Sequence, residues 1–155
     1  MIVTLTPKIL EETLQKARTS PRKRAIYCFH QPDEVLQRMI NAGLSDTYFQ
    51  PHKHENPDKI ELFSILYGKM AIFTFNDVGE IEQKVLLEES GKDRIVEIPP
   101  RTWHGVAVIS PEAVVYEIIE GKYDSLTHKD FAPWAPAENS PEAPRYLEWL
   151  KSFSP

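Results

Sequence analysis

Hydrophobic residues near the start of the chain recur at the spacing of an α-helix. Within the stretch TPKILEETLQKART, residues 6–19, the apolar residues that share one helical face are Ile9, Leu10, Leu14 and Ala17. Thr6 is suited to cap the first turn, and Pro7 has the fixed φ that the first helical position favours. The pattern predicts a helix over residues 6–19.

Two further segments show a helical pattern. The stretch PDEVLQRMINA, residues 32–42, begins with a proline and is followed by Gly43, a residue type that commonly ends helices. In EAPRYLEWLKS, residues 142–152, the side chains available for packing are Tyr146, Leu147, Trp149 and Leu150. We therefore predict a second helix over 32–42 and a closing helix over 142–152.

From Leu44 onward the pattern changes to short β-rich runs separated by turn residues. These runs occupy residues 46–52, 59–68, 69–77, 81–89, 94–100, 103–109 and 113–121. The breaks between them are rich in proline, glycine and aspartate, which are typical turn residues. At least six closely spaced strands without intervening helices predict an antiparallel sandwich or barrel, and thus an all-β fold.

The length of the chain, 155 residues, suits one domain with its own hydrophobic core. The sequence contains no internal repeat and no linker that would divide it. We predict a single domain over 1–155. Its parts would be a helical segment over 1–43, a β-barrel over about 44–121, and a proline-rich tail with the closing helix over 122–155.

Composition and charge narrow the classes of partner. The net charge of −5 argues against nucleic acid, because binding phosphates needs a dense basic surface. The sequence lacks an apolar run of about 18 residues, so we expect no membrane span. The N-terminal stretch lacks the features of a secretory signal, and Cys28 is the single cysteine, which indicates a reducing cytoplasm. We expect Cys28 to act as a small buried apolar residue.

Two of the five histidines, His52 and His54, lie two positions apart. On a strand, residues i and i+2 face the same side, so both imidazoles can point at one spot. Glu61 begins the strand that follows a turn, and His104 lies at the start of another apolar strand. A carboxylate among imidazoles suits a divalent ion of Zn, Fe, Mn or Ni. A second interpretation stays open, in which His52 and His54 are exposed loop residues and His104 is a partly buried, hydrogen-bonded histidine.

Two motifs resemble the paired signatures of the cupin superfamily. The first has the form H-x-H, a spacer, Glu, six residues and Gly, and it matches PHKHENPDKIELFSILYG at residues 51–68. The second has the form P-x-G-x-x-H and matches PPRTWH at residues 99–104. The sequence departs from the signatures in three ways. Six residues precede the glutamate where the family has three or four, Arg101 replaces a glycine, and Val108 replaces an asparagine.

Most of the chain resembles a narrower group, the WbuC-type cupin-fold metalloproteins. The resemblance runs from RAIYCFH at residues 24–30 to DFAPWAPAE at residues 130–138, and the second stretch is its most specific part. This bacterial group is often associated with gene clusters for surface polysaccharides or O-antigen. The resemblance implies a cupin-type double-stranded β-helix, or jelly-roll barrel, with N-terminal and C-terminal helices. It also implies a divalent metal held by the residues of the two motifs, His52, His54, Glu61 and His104.

A small barrel of this kind can hold one ligand in its mouth. The residues that alternation places on the inner side, with the metal ligands, are Phe63, Ile65, Tyr67, Val106 and Val108. We expect an apolar and aromatic lining in which Phe63 and Tyr67 contact the substrate. Such a lining would exclude water from the metal.

Polar residues near the predicted mouth allow two interpretations each. Arg101 is either an anchor for a phosphate or carboxylate of the substrate or a solvated loop residue. Glu117, within an apolar strand, is either a functional group, for proton transfer or as a partner of a ligand histidine, or a residue facing solvent on an edge strand, and the solvent-facing position is favoured. His30 and His128 lie outside both motifs and are interpreted as non-ligands. Trp134 is expected to pack against one end of the barrel.

The leading functional hypothesis is a metal-dependent enzyme in surface-polysaccharide metabolism. Its substrate would be a small polar or anionic carbohydrate-related molecule, and an isomerase or epimerase is the favoured type, with an Fe(II) dioxygenase as a further possibility. The alternatives are a non-catalytic metal-stabilised module that binds a small molecule, and a metal-free cupin whose histidines act as acids and bases. We also predict a homodimer formed through an apolar outer face, for which the available side chains are Leu62, Leu66, Phe73 and Phe75.

Overall fold

The polypeptide runs from a helix through a series of short strands to a second helix. The computed structural model describes residues 2–153 of the chain. In order, the elements are α1 (Pro7–Thr19), β1 (Arg24–Cys28), β2 (Leu36–Leu44), β3 (His52–Lys53), β4 (Glu61–Tyr67), β5 (Lys69–Phe75), β6 (Ile81–Glu88), β7 (Ile95–Ile98), β8 (Trp103–Val108), β9 (Glu112–Glu120), β10 (Asp130–Phe131) and α2 (Ala143–Ser152).

The first and last helices form where the sequence predicts them. The hydroxyl of Thr6 accepts a hydrogen bond from the backbone N–H of Ile9 at 3.4 Å, and Pro7 occupies the start of α1. Leu14 and Ala17 form the buried face of α1. Across residues 2–153, no helix has the length and apolar character needed to cross a membrane.

The predicted helix over 32–42 is wrong, because this segment contributes β2. Strand β2 pairs with β1 on one side and with β9 on the other, so its backbone hydrogen-bonding groups are satisfied within a sheet. Its two faces are both covered: Met39 is buried on the inner face, whereas Ile40 and Ala42 pack beneath α1. Because both faces are buried, the sequence of β2 lacks the regular alternation of apolar and polar residues that a half-exposed strand shows. The spacing of its apolar residues therefore resembles that of a helix. The helical segment therefore ends at Thr19 and not at residue 43.

The strands form two antiparallel five-stranded sheets, which together make the predicted jelly-roll barrel. The first sheet has the order β1-β2-β9-β4-β7, and the second has the order β10-β3-β8-β5-β6. Of the seven β-rich runs in the sequence, only 46–52 is mostly irregular, since β3 begins at its last residue. The all-β fold class is confirmed.

The space between the sheets is filled by an apolar core that includes Ile65, Met70, Ile72 and Val106. Each sheet also has its outer face covered by a helix. Helix α1 lies over the first sheet, and helix α2 lies over the second sheet through Leu147 and Leu150. Every layer of the fold therefore has an apolar neighbour within the same chain.

The outer-face residues predicted to mediate a homodimer are largely covered. Phe73 and Phe75 are 0% and 3% exposed and belong to the core under α2. Leu66 packs against the core under α1. The prediction that these residues form a free apolar face is therefore wrong, whereas the homodimer itself stays a prediction. Cys28, expected to be buried, is exposed on the edge strand β1.

A glycine marks the point where the chain passes from one sheet to the other. Gly68 joins β4 of the first sheet to β5 of the second and has a φ of 75°, in the left-handed region. A Cβ atom at this position would lie 2.3 Å from the carbonyl oxygen of Glu112. The crossing between the sheets thus depends on the absence of a side chain.

We expect Gly68→Ala to lower the free energy of unfolding by about 2–4 kcal/mol, because it adds left-handed strain and a clash with backbone. Urea unfolding followed by circular dichroism measures the effect. Glu89→Ala is the control, since Glu89 is exposed and only its backbone N–H contacts Gly68. Equal stability of both variants would show that the crossing tolerates a side chain.

Candidate metal centre

The inner faces of the two sheets bring together the four residues of the sequence motifs. His52 of β3 lies directly opposite His104 of β8 in the register of the second sheet, so both rings face the same side. His54 follows β3, and Glu61 opens β4 in the facing sheet. One ligand atom from each of these residues lies within 4.8 Å of the other three. All four side chains are buried, the most exposed being His52 at 6%.

Backbone carbonyls fix the orientation of all three imidazoles. The Nδ1 atoms of His52, His54 and His104 lie 3.1, 2.6 and 2.9 Å from the carbonyl oxygens of Gln50, His128 and Thr102. A carbonyl oxygen can only accept, so each Nδ1 carries a hydrogen and donates it. In a neutral ring, the lone pair is then on Nε2.

The three Nε2 atoms and Oε2 of Glu61 face a shared centre. The Nε2 atoms of His54 and His104 lie 3.2 and 2.8 Å from Oε2 of Glu61, and the first of these contacts has the geometry of a hydrogen bond. The Nε2 atoms of His52 and His104 have no hydrogen-bond partner among the described residues. Buried acceptors that face one another without a donor are costly, and a cation at their centre satisfies all of them. The geometry therefore fits a bound metal ion.

The electrostatics of the group agree with this geometry. Burial, together with the nearby charge of Lys129, lowers the pKa of His52 well below its ordinary value, so this ring is neutral. Burial by itself raises the pKa of Glu61, but the attraction of the carboxylate to positive charge at the imidazoles, chiefly that of His104, outweighs burial and holds this pKa well below its usual range. A bound cation would supply the same attraction. Neutral imidazoles and an ionised carboxylate are the forms that bind metals.

The long spacer between His54 and Glu61 does not displace the glutamate. Residues 55–58 form turns outside the sheets, and the chain returns to the barrel at the buried Lys59. Its ammonium donates to the carbonyl of Lys122 at 2.7 Å. The extra residues are therefore accommodated at the surface, and Glu61 still reaches the histidines.

A cavity opens beside the four residues. It encloses about 20 Å³, which is room for one or two water molecules at about 10–15 Å³ each. Its apolar wall includes Phe63 and Val106, as alternation predicted, together with Phe49, Met70 and Val115. An apolar wall of this kind excludes water from the polar end of the cavity.

Tyr67 does not line this cavity, contrary to the prediction. The register of β4 against β9 shifts by one residue between Ile65 and Tyr67, so a β-bulge interrupts the alternation. Leu66 then packs under α1, and Tyr67 is 41% exposed. Ile65 and Val108 belong to the core between the sheets, one layer away from the cavity.

Glu117 is buried at the cavity, and its interpretation as a solvent-facing edge residue is wrong. It lies on β9, which is flanked by β2 and β4, and it is 4% exposed. Its Oε2 accepts a hydrogen bond from the side-chain amide of Asn41 at 2.9 Å. Burial and the charge of Glu61 raise the pKa of Glu117 to about 8. Asn41 was not identified from the sequence, because it lies in the segment interpreted as a helix.

Arg101 does not contribute to the cavity. Its backbone N–H donates to the carbonyl of His54 at 3.0 Å, but its guanidinium donates to Asp58 at 2.8 Å and is 65% exposed. The solvated interpretation therefore fits this side chain. Lys129, which lines the cavity, was not identified from the sequence; its position two residues before Phe131 on the strand β10 is the signal that could have found it.

The other two histidines and Trp134 have supporting positions. His30 accepts a hydrogen bond from the backbone N–H of Arg38 at 2.9 Å. His128 is half-buried, its ring lies 5.3 Å from that of His54, and burial lowers its pKa to about 4. It lies outside the group of four converging residues. Trp134 packs against Phe75 with ring centres 5.0 Å apart.

Comparisons with known proteins agree with this architecture. A family model described as a domain of unknown function (DUF6016) matches residues 5–87. A comparison with curated protein sequences found no match. Among solved structures, the chain is similar to the capsular polysaccharide assembling protein CapF from Staphylococcus aureus, with a TM-score of 0.59 and 20% identity over 73% of this chain and 32% of CapF. The chain thus spans about a third of the length of CapF.

Two smaller structures show the same fold. KdgF from Halomonas sp. has a TM-score of 0.50 and 19% identity over 70% of this chain and 86% of its own. The cupin domain of Cnp3 from Schizosaccharomyces pombe has a TM-score of 0.50 and 14% identity over 67% of this chain and 63% of its own. These similarities establish the cupin fold.

We expect the double variant His52→Ala/His54→Ala to lose the bound metal, because half of the ligand set is removed. Glu61→Gln, which keeps the shape of the side chain, should weaken metal binding by at least about 100-fold. Loss of a residue that hydrogen-bonds to a ligand weakens metal binding by up to about 100-fold, and loss of a ligand should cost at least as much. Elemental analysis of purified protein and competition with a chelator measure both effects.

His30→Ala serves as the control, since His30 lies outside the group and should leave metal content unchanged. Circular dichroism verifies that each variant is folded. Retention of one metal ion per chain by the folded double variant would contradict the ligand assignment.

Proposed function

The chain belongs to the family described as a domain of unknown function (DUF6016), and we propose that it is a metal-dependent enzyme. The observation that carries the proposal is the set of four buried acceptor groups that face one another beside a cavity. His52, His54, Glu61 and His104 would hold one divalent ion of Zn, Fe, Mn or Ni. When bound, such an ion supplies Lewis-acid chemistry that polarises a carbonyl or hydroxyl oxygen.

The residues around the cavity favour proton transfer as the reaction. Glu117 presents a carboxyl group to the cavity and is held in place by Asn41 at 2.9 Å. In its ionised form, this carboxylate can remove a proton from a carbon atom next to a carbonyl, and the protonated carboxyl group can then return the proton to the same or the neighbouring carbon. This sequence of steps is an isomerisation or epimerisation. Phe63 and Val106 keep water away from the reacting carbon.

We propose a small polar or anionic carbohydrate-related substrate. The enclosed volume of about 20 Å³ admits one small end of such a molecule, and the remainder would stay outside the barrel. The WbuC-type resemblance and the fold shared with a capsular polysaccharide assembling protein support a place in surface-polysaccharide metabolism.

A non-catalytic binding module is the second candidate, and the small enclosed volume favours it. In that case the metal would mainly stabilise the barrel, and a bound compound would be recovered unchanged. The protein would then show no turnover with or without the metal, and removal of the metal would lower its melting temperature.

The test of the enzyme is a screen of the metal-loaded protein in D2O. Protein loaded separately with Zn²⁺, Fe²⁺, Mn²⁺ or Ni²⁺ is incubated with nucleotide sugars and small sugar acids, and NMR follows incorporation of deuterium at carbon. An isomerase or epimerase exchanges a proton at the carbon next to the carbonyl. Binding without exchange for all four metals would favour the binding module instead.

We expect Glu117→Gln to reduce this exchange by about 10²- to 10⁴-fold, because the amide cannot accept and return the proton. Metal content should remain that of the wild type. Glu120→Gln is the matched control, since Glu120 lies on the same strand but is exposed. Full exchange activity in the Glu117 variant would remove this residue from the mechanism.

A further inference from the structure

Lys129 is a cationic side chain placed at the cavity by the pairing of β10 with β3. In this pairing, Phe131 lies opposite His52, and Asp130 lies opposite Lys53. Phe131 therefore shares the inner face with His52, whose ring lies 6.1 Å away. Lys129 comes two residues before Phe131, directly ahead of β10, and it lines the cavity.

The ammonium of Lys129 has no acidic partner. Throughout residues 2–153, no carboxylate lies within 4.0 Å of it, and its side chain makes no hydrogen bond. The carboxylates at the cavity, Glu61 and Glu117, contact histidines and Asn41 instead. Arg101 differs in this respect, because its guanidinium is paired with Asp58 outside the barrel. Lys129 is thus available to a ligand.

The charge of the loaded cavity would favour an anion. Glu61 supplies one negative charge and Glu117, when ionised, a second, against the two positive charges that a divalent metal would carry. Lys129 adds another positive charge in the same space, and its field reaches both His52 and Glu117. An apolar wall around these groups strengthens their attraction for a negative group.

The size of the cavity selects among anions. Room for one or two water molecules matches the two oxygen atoms of a carboxylate, whereas a phosphate would bring four oxygen atoms. A ligand with an oxygen function next to its carboxylate could then use both positive centres, the metal and the ammonium.

We infer that Lys129 is the specificity-determining residue of the cavity and binds a carboxylate on the substrate. The hydroxyl or carbonyl oxygen on the carbon next to that carboxylate would then lie at the metal centre. The inference rests on the proposed function, because it assigns the substrate class of the same site: small acids, or the acid end of a larger carbohydrate, with an adjacent oxygen.

The experiment uses the full chain loaded with Co²⁺, whose visible absorption reports changes in coordination. Glycolate, which carries a hydroxyl next to a carboxylate, is titrated against wild type and Lys129→Met. The uncharged analogue glycolamide and inorganic phosphate are titrated in parallel. We expect Lys129→Met to weaken glycolate binding by about 10- to 100-fold, the range for the loss of a charge-assisted hydrogen bond.

Glycolamide binding should not change in Lys129→Met, and Lys129→Arg should restore part of the glycolate affinity because it keeps the charge. Lys122→Met is the matched control: Lys122 lies in the same segment, its side chain is exposed, and only its backbone carbonyl contacts Lys59. It should bind glycolate like the wild type. Cobalt affinity should not fall in any variant, since none of them alters a ligand.

Several outcomes would overturn the inference. If wild type and Lys129→Met bind glycolate equally tightly, Lys129 does not bind the carboxylate. The same conclusion follows if Lys129→Met weakens glycolamide binding as much as glycolate binding. Phosphate binding tighter than glycolate, with the same dependence on Lys129, would overturn the carboxylate class. A wild type that takes up cobalt but not glycolate would also overturn it. Failure of the wild type to take up cobalt would overturn the proposed function and this inference together, whereas absence of turnover would leave the glycolate result intact.

Discussion

The site depends on one electrostatic constraint, the burial of four acceptor groups that face one another. Each histidine has its Nδ1 hydrogen bonded to a backbone carbonyl, so the remaining nitrogen of the neutral ring offers a lone pair. The carboxylate of Glu61 lies among these nitrogens, and the surrounding walls are apolar. Without a compensating charge, this group would destabilise the folded protein, because burying polar atoms that have no partner costs free energy. A cation resolves this conflict, and the rest of the structure serves to hold the four groups in place.

The two covering helices contribute to this rigidity. Strand β8, which carries His104, has one face toward the cavity and the other toward a helix, so a shift of this strand would disturb two packed layers. His104 lies on its inner face, and Trp103 lies in the core beneath α2. This ligand therefore lies on an element whose position is fixed by packing on both sides, which is what a precise metal site requires.

Much of the fold and the four converging residues could be predicted from the sequence, because alternation and turn residues are local signals. Their positions at the ends of predicted strands made His52, His54, Glu61 and His104 candidates, and the resemblance to the cupin signatures implied that they form one ligand set. The failures have non-local causes. Strand β2 resembles a helix because it is buried on both faces, and Tyr67 faces outward because a β-bulge interrupts β4. Neither the covering of a strand by α1 nor a shift of register can be read from a short window of sequence.

The hydrogen bond from His54 to the carbonyl of His128 has a further consequence. The acceptor belongs to the residue that immediately precedes Lys129, so a single peptide unit joins a histidine of the centre to the cation at the rim. The carbonyl that fixes the His54 ring is therefore also the last fixed point of the backbone before the lysine. The same short segment thus sets the tautomer of a candidate ligand and the place from which the lysine side chain extends.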